Sequence, residues 1–347
     1  MAKILGWDIG AANIKAALWS PEENPEHRVR MVSRPYEIWR DKSRLPDAMR
    51  SAFDSVTQGV LPDAMAVTMT AELSDAFACS REGVLCILET LNASFPRLRT
   101  YVFSLSGKFV PFDAAKDQPL EFAASNWLAS ATWVAGQIRD CLLVDVGSTT
   151  TDIIPIVGGQ VIAAGRTDLD RLSTGELIYT GALRTNLAAI VQSVPVAGRF
   201  CRVASEYFAV SGDVHLVLGH LTPQEYTCAT PDGRPATVEL SRNRIARLVC
   251  ADSELLCPAD IDEMARHIFA QQVRHICCGI EQVISRVPRL RTRPVVIQGT
   301  GWFLGSAAAA SMGLEMKEIS SGPGKSGMAP CVAAALLLEE HLKGSPQ

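Results

Sequence analysis

The chain has 347 residues, 48% hydrophobic and 20% charged, with a formal net charge of −4. That length exceeds one ordinary core and suits two domains of unequal size, and the mildly acidic balance gives no reason to expect a nucleic-acid partner. No apolar run approaches the roughly 18–20 residues that cross a bilayer, and too few apolar residues precede Asp8 for a signal peptide, so the chain reads as cytoplasmic with no membrane partner.

The first predicted element is a β-hairpin, ILGWDIGAANIKAALW at 4–19. An apolar strand ends in Asp8-Ile9-Gly10, a short turn follows, and a second apolar strand returns past Asn13 and Lys15. AMRSAFDSVTQGV at 48–60 has the periodicity of an amphipathic helix, and DAMAVTMTAEL reads as the strand after it. Glu72 and Asp75 lie just beyond that strand end, where α/β sites gather, although a plain loop or helix-start carboxylate pair would look the same. Asn126 opens a helical pattern, NWLASATWVAG.

A second hairpin, CLLVDVGSTTTDIIPIVGG at 141–159, repeats the plan of the first. In register, Asp145 matches Asp8, Gly147 matches Gly10, Thr150 matches Asn13 and Asp152 matches Lys15, an offset of 145 − 8 = 137 residues. An offset of that size predicts two related lobes, 1–138 and 139–347, each opening on such a hairpin.

Further along, STGELIYTGALRTNLAAIV at 173–191 reads as a helix opened by a capping box from Ser173 to Glu176, with Arg184 available to an anion. Asp213 in SEYFAVSGDVHLVLG reads as an N-cap. DIDEMARHIFAQQVRHICCGIEQVI at 260–284 predicts a long amphipathic helix capped by Asp260 and Glu263, with His267 and His275 structural. The basic run RVPRLRTRP at 286–294 reads as a solvated loop. RPVVIQGTGWFLGSAAAASMGL at 293–314 predicts strand, Gly299-Thr300-Gly301 turn and Ala-rich helix, which can present helix N–H groups to a phosphate or nucleotide. ISSGPGKSGMAPCVAAALLL at 319–338 fails as a phosphate loop, because its first glycine would fall on Ile319; it predicts a loop opening the last helix, with Lys325 near anions as a minor reading. That helix can pack back on the first lobe. The ten cysteines show no C-x-x-C pair and read as reduced, mostly buried thiols. No Ser-His-Asp order or nucleophile elbow is visible.

Glycine turns with adjacent hydroxyls let backbone N–H groups approach an anion. One such hairpin is a common loop; two in register, a domain apart, suit a clamp that grips a phosphate chain from both sides. Its predicted phosphate contacts are Gly10, Asn13, Lys15, Gly147, Ser148, Thr149, Thr150, Arg184, Gly299, Thr300 and Gly301, with Asp8 and Asp145 as oxygen ligands for Mg²⁺.

The order Asp8 hairpin, Asp145 hairpin, Gly299 turn resembles the actin, Hsp70 and sugar-kinase superfamily. That resemblance implies a two-lobed α/β fold of RNase H-like topology with a central cleft. Function does not follow from it, since the fold serves kinases, ATPases, filaments and other enzymes.

Longer segments are more specific. GWDIGAANIKAA, MTAELSDAFACSREGV, ASNWLASA, LLVDVGSTTTDIIPI, RLSTGELIYTGALRTNL, ASEYFAVSGDV and NRIARLVCAD together resemble the hydantoinase/oxoprolinase-like family of the tetrahydromethanopterin-linked C1 transfer pathway, which includes methanofuran-biosynthesis synthases. The resemblance implies a transferase that joins a furan diphosphate to a phenolic acceptor and releases pyrophosphate. Asp8, Asp145, Asp152 and Glu72 are then the catalytic candidates, and the last three are unranked as the base. The GAAN turn lacks the hydroxyl residue of many kinases in the superfamily. An ATP-dependent kinase or hydantoinase-like ATPase is the alternative, and a non-catalytic scaffold a second one.

Overall fold

The computed structural model describes residues 2–24, 26–319 and 328–344. The predicted loop around Lys325 lies outside the described residues.

The first sheet is built from β1 (Ile4–Ile9), β2 (Asn13–Trp19), β3 (Val29–Pro35), β4 (Ala64–Met69), β5 (Arg99–Phe103) and β6 (Phe109–Pro111), in the order β3-β2-β1-β4-β5-β6. β1 pairs antiparallel with β2 and parallel with β4, so the Asp8 strand lies at the centre. α1 (Leu45–Thr57) places Leu45, Met49, Ala52 and Val56 on one buried stripe, and Gln58 at φ 50° ends it. α2 (Ser80–Ser94) joins α1 on the same face of the sheet, where both pack with Trp7, Ile9, Met65 and Val67.

α3 (Phe112–Ala115) and α4 (Asn126–Gln137) lead to the second sheet. β7 (Cys141–Val146), β8 (Thr151–Val157) and the two-residue β9 (Gln160–Val161) and β10 (Leu177–Ile178) belong to it, with α5 (Asp168–Thr174) between β9 and β10. α6 (Leu187–Ile190), a separate ribbon of β11 (Ser193–Val196) and β12 (Arg199–Arg202), α7 (Ser211–Val217), α8 (Val238–Arg247) and α9 (Pro258–Arg286) follow. β13 (Val295–Gln298) then returns to pair parallel with β7, and α10 (Trp302–Ser311) packs with α9 on the outer face of this sheet. α11 (Pro330–Gly344) closes the described chain.

α11 and α4 lie between the two sheets, in one cluster that includes Ile4, Trp127, Leu143, Ile154, Ala334 and Leu338. The layers run helix, sheet, helix, sheet, helix. Gly6 explains how closely α11 crosses β1: a Cβ there would stand 1.8 Å from the Cys331 carbonyl oxygen. Among the described residues, no helix is long and apolar enough to cross a membrane.

Several local expectations are corrected. Residues 173–191 do not form one helix. The capping box is Thr167 with Asp170, and α5 ends at Gly175, whose φ of 73° favours glycine. Glu176 instead accepts the Ala164 and Gly165 N–H groups at 2.7 and 2.8 Å and pairs with Arg286. α9 starts earlier than predicted, because Asp260, not Glu263, takes the capping position and accepts the Cys257 N–H at 3.2 Å. Asp213 is the third residue of α7; its carboxylate caps the Val210 N–H and pairs, fully buried, with Arg244 at 2.8 Å. The run at 286–294 contains a short 3₁₀ turn, with Arg286 and Arg289 tied to Glu176 and Asp140. All ten cysteines are free thiols, but only Cys141 and Cys331 are buried, so most are not core residues.

Candidate active site

The two hairpins have the same geometry. In the first, Asp8 faces Lys15 across β1 and β2, and the Gly10 N–H closes the turn on the Asn13 carbonyl at 3.0 Å. In the second, Asp145 faces Asp152 across β7 and β8, and the Gly147 N–H closes on the Thr150 carbonyl at 2.8 Å. The matching residues of the repeat thus occupy matching places. Each aspartate strand also has a parallel neighbour: β4, which runs on into Glu72, and β13, which runs on into Gly299.

The Asp145 side is built tightly. Gln298, its register partner, donates Nε2 to Asp145 Oδ2 at 2.8 Å. Gly299 has φ 93°, and a Cβ there would lie 2.3 Å from the Val146 carbonyl oxygen and 2.4 Å from Asp145 Oδ1. The Gly301 N–H bonds the Val146 carbonyl at 2.8 Å, and α10 starts at the next residue. Thr300 is exposed at the tip of this turn.

The Ser148–Thr150 turn is backed by residues 180–184. Ala182 N donates to Gly147 O, and Leu183 N and Arg184 N both donate to Ser148 O. Gly181 is needed there because a Cβ would stand 2.5 Å from the Thr149 nitrogen. The Ser148 and Thr149 hydroxyls remain 3.4 Å apart at the turn. Arg184 therefore follows the second hairpin from a loop, not a helix, and its guanidinium lies 5.0 Å over the Trp39 ring from the first half of the chain. Beside this contact is a cavity of about 700 Å³ whose lining includes Asn13, Arg34, Arg44 and Arg184.

Electrostatics join the two hairpins. Lys15 Nζ lies 3.4 Å from Asp8 Oδ2. Burial by itself would lower the Lys15 pKa, but Asp8, Cys331 and Asp145 together outweigh it and hold it above the ordinary value. Asp145 is pushed up to about 7, first by its enclosure and then by Asp152, against the opposing pull of Gln298 and Lys15. Glu72 is also pushed up to about 7, by burial foremost, with Asp168 and Asp8 adding to it. Asp152 is held by Arg171 Nη2 at 2.5 Å.

The donors suit a hard divalent cation shared with phosphate. Asp8 is 3% exposed, and its Oδ1 is buried without a hydrogen-bond partner. Among the described residues no three His, Cys, Asp or Glu side chains form a cage for a metal. Mg²⁺ is commonly held by one or two carboxylates and by substrate phosphates, and Asp8 and Asp145 are the carboxylates that would be offered to it.

Asp8, Lys15, Asp145, Asp152 and Glu72 thus belong to one electrostatic cluster. Gln298, Arg171, Asp168 and Gln272 were missed by sequence reasoning. Gln298 had a signal, as the last residue of the strand before the glycine turn; Arg171 pairs with Asp168 three residues away, but its bond to Asp152 and those of Gln272 to Thr180 and Gly181 join stretches distant in sequence.

The fold is the two-lobed α/β architecture of the actin, Hsp70 and sugar-kinase type, and the chain belongs to the hydantoinase/oxoprolinase family, whose model matches residues 63–341. It is 35% identical over 340 residues, 98% of each chain, to the (4-{4-[2-(gamma-L-glutamylamino)ethyl]phenoxymethyl}furan-2-yl)methanamine synthase of Methanocaldococcus jannaschii. A synthase of the same name from Methanococcus vannielii is 48% identical over 163 residues, 47% of this chain and 72% of that one. Among solved structures, nucleotide-free acetone carboxylase matches 90% of this chain and 67% of its own with a TM-score of 0.54 at 8% identity, a likeness of fold alone.

Proposed function

We propose that the protein is a transferase of methanofuran-type cofactor biosynthesis. It condenses an aminomethyl-furan-methyl diphosphate with a tyramine- or tyrosine-type phenol, forming an aryl ether and releasing pyrophosphate. The observation that carries this reading is the pair of like-built hairpin turns, coupled through Lys15, which lies in the field of both Asp8 and Asp145. The name of the Methanocaldococcus jannaschii relative describes a phenoxymethyl-furan, which is such an ether.

The bond from the furfuryl carbon to the diphosphate oxygen breaks, and its electron pair leaves with pyrophosphate. The phenol oxygen forms the new bond to that carbon, and its proton passes to a carboxylate. The furan ring stabilises positive charge at the reacting carbon, so the main demand on the protein is to hold the negative charge of the leaving group. Lys15, the Gly10–Asn13 turn and the Gly147–Thr150 turn supply cationic, N–H and hydroxyl contacts for it. Asp8 and Asp145 would hold Mg²⁺, which when bound supplies charge to the departing diphosphate. Arg184 adds a guanidinium at the cavity beside the first hairpin, whose lining also carries Glu37, Asp41 and Asp47.

Calorimetric titration with Mg²⁺–pyrophosphate and, separately, Mg²⁺–ATP tests the reading. Tight pyrophosphate binding with negligible ATP binding, lost in Asp145→Asn, supports the condensing enzyme. Tight ATP binding would favour a kinase or ATPase that uses the Gly299–Gly301 turn as a nucleotide site. Binding of neither would remove the phosphate clamp itself.

A further inference from the structure

Several polar groups around Glu72 are buried and have no partner. Glu72 is 3% exposed, Ser125 0%, Trp127 5% and Arg171 1%, and Glu72 Oε2, Ser125 Oγ, Trp127 Nε1 and Arg171 Nε all lack a hydrogen bond. Folded proteins rarely leave such groups unmet, and each exception asks for an explanation.

Contacts place them together. The backbone of Ala124 acts on the Glu72 carboxylate and favours its charged form, and Ser125 is the next residue. The Arg171 guanidinium lies 4.1 Å over the Trp127 ring. Asp168, whose carboxylate is 3.5 Å from Arg171 Nη1, also acts on Glu72. The loop after β4, the start of α4 and the start of α5 therefore meet around these groups. Two features show construction here. Ala124 holds φ 46°, left-handed backbone that costs a non-glycine residue energy and that gathers at functional sites. Gly83 lets α2 press against Glu72, since a Cβ there would be 2.5 Å from Glu72 Cα.

The unmet groups differ in kind: a carboxylate oxygen that accepts, indole and guanidinium N–H groups that donate, and a hydroxyl that does either. An ammonium would satisfy Glu72 and leave the N–H donors unmet. A carboxylate or phosphate would satisfy the donors and be repelled by Glu72 and Asp168. A neutral hydroxyl both donates and accepts, so it can donate to Glu72 and accept from Ser125 and Trp127.

We propose that Glu72, Ser125 and Trp127 form the site for the acceptor's phenolic hydroxyl, with Glu72 as the base that takes its proton. This rests on the condensing reading above and ranks the carboxylates it left open. Asp152 is held by Arg171, and Asp145 is bonded to Gln298 and packed on Gly299 at the diphosphate turn. In the step, the phenol O–H electrons form the bond to the furfuryl carbon, the proton moves to Glu72 Oε2, and pyrophosphate leaves with the electrons of the broken C–O bond. A Glu72 pKa of about 7 leaves that carboxylate partly ionised near neutral pH, as a general base requires.

The test is calorimetry on the full chain with tyramine and with phenethylamine, which lacks only the hydroxyl, each with and without Mg²⁺–pyrophosphate. Tyramine is expected to bind about tenfold or more tighter, because a site built to bond a hydroxyl rejects the analogue without it. Glu72→Gln, Ser125→Ala and Trp127→Phe should each shrink that ratio, while Mg²⁺–pyrophosphate affinity stays within about twofold. Trp127→Phe keeps a ring beneath Arg171 and so reads the lost N–H even if another variant folds poorly. With the furan diphosphate present, Glu72→Gln should slow pyrophosphate release on the order of a hundredfold. Equal binding of the two amines, no binding of either, or an undiminished ratio in the variants overturns the hydroxyl site. Undiminished turnover in Glu72→Gln overturns the base. Loss of pyrophosphate binding in the unmodified protein, with the tyramine preference intact, would fault the condensing reading and leave the hydroxyl site standing.

Discussion

Gln272 connects a helix to the segment behind the second hairpin turn, and replacing it with leucine tests that connection. The side chain is fully buried in α9. Its Nε2 donates to Thr180 Oγ1 at 2.9 Å and to the Gly181 carbonyl at 2.8 Å, and its Oε1 faces His215 Nε2 at 3.1 Å. Because the Gly181 carbonyl can only accept, the amide orientation is set, and His215 Nε2 must carry the proton. His215 Nδ1 is then an acceptor, opposite His220 Nδ1 at 3.4 Å. Gln272→Leu leaves the His215 N–H buried without a partner, at about 1–3 kcal/mol, and takes from the Gly181 carbonyl its 2.8 Å donor, at about 1 kcal/mol, since the Thr185 hydroxyl at 3.4 Å remains. The Thr180 hydroxyl loses a donor at about 1 kcal/mol. We expect a loss of roughly 3–5 kcal/mol in urea unfolding, allowing for relaxation. Since Gly181 packs on the Ser148–Thr149 backbone, Mg²⁺–pyrophosphate affinity should fall in the folded variant as well. A loss below about 1 kcal/mol would refute the hydrogen-bond argument. A large loss with unchanged pyrophosphate affinity would refute the proposed link between α9 and the turn.

Two further outcomes follow from the same region. Gly299→Ala combines left-handed backbone with a Cβ 2.3 Å from the Val146 carbonyl, so it should cost at least about 2 kcal/mol in unfolding experiments and weaken anion binding through displaced Asp145; an unchanged melting curve would show the turn relaxes freely. His215 is pushed down to about 3, by burial first and then by His220. The unfolded chain takes up that proton near pH 6.5 and the native state does not, so this group's contribution to stability falls by about 1.4 kcal/mol per pH unit from about 6.5 toward 3. Glu72 and Asp145 act oppositely, losing stability as pH rises from the ordinary carboxylate range toward 7. Comparing urea unfolding of wild type and His215→Gln at pH 7 and pH 5 isolates the histidine: the variant should lose less stability on acidification, and equal losses would show that His215 is not held neutral.

The hairpins were legible because their signals are local and repeated. Alternation of apolar residues, Asp-x-Gly at a strand end and a polar turn recur at an offset of 137 residues, and the strand pairing follows the same alignment. The long helix α9 and the start of α4 at Asn126 were legible for a similar reason, a sustained helical period. Helix starts were less so. Thr167-x-x-Asp170 and Ser173-x-x-Glu176 fit one capping pattern equally well, and only the left-handed Gly175 and the bonds from Ala164 and Gly165 to Glu176 decide between them.

The sequence by itself determined that two like-built polar hairpin turns exist and that each carries an aspartate at its strand end, because turn chemistry and strand alternation are properties of neighbouring residues. It did not determine what the turns face. Glu72, Ser125, Trp127 and Arg171 come from three separate stretches, and only the tertiary packing brings them near one another. Their significance is a matter of burial and unmet hydrogen bonds, which depend on the layers packed around them. A residue type shows which chemistry it can do; the tertiary structure decides which water has been removed and which partner is missing, and so which group is left to act.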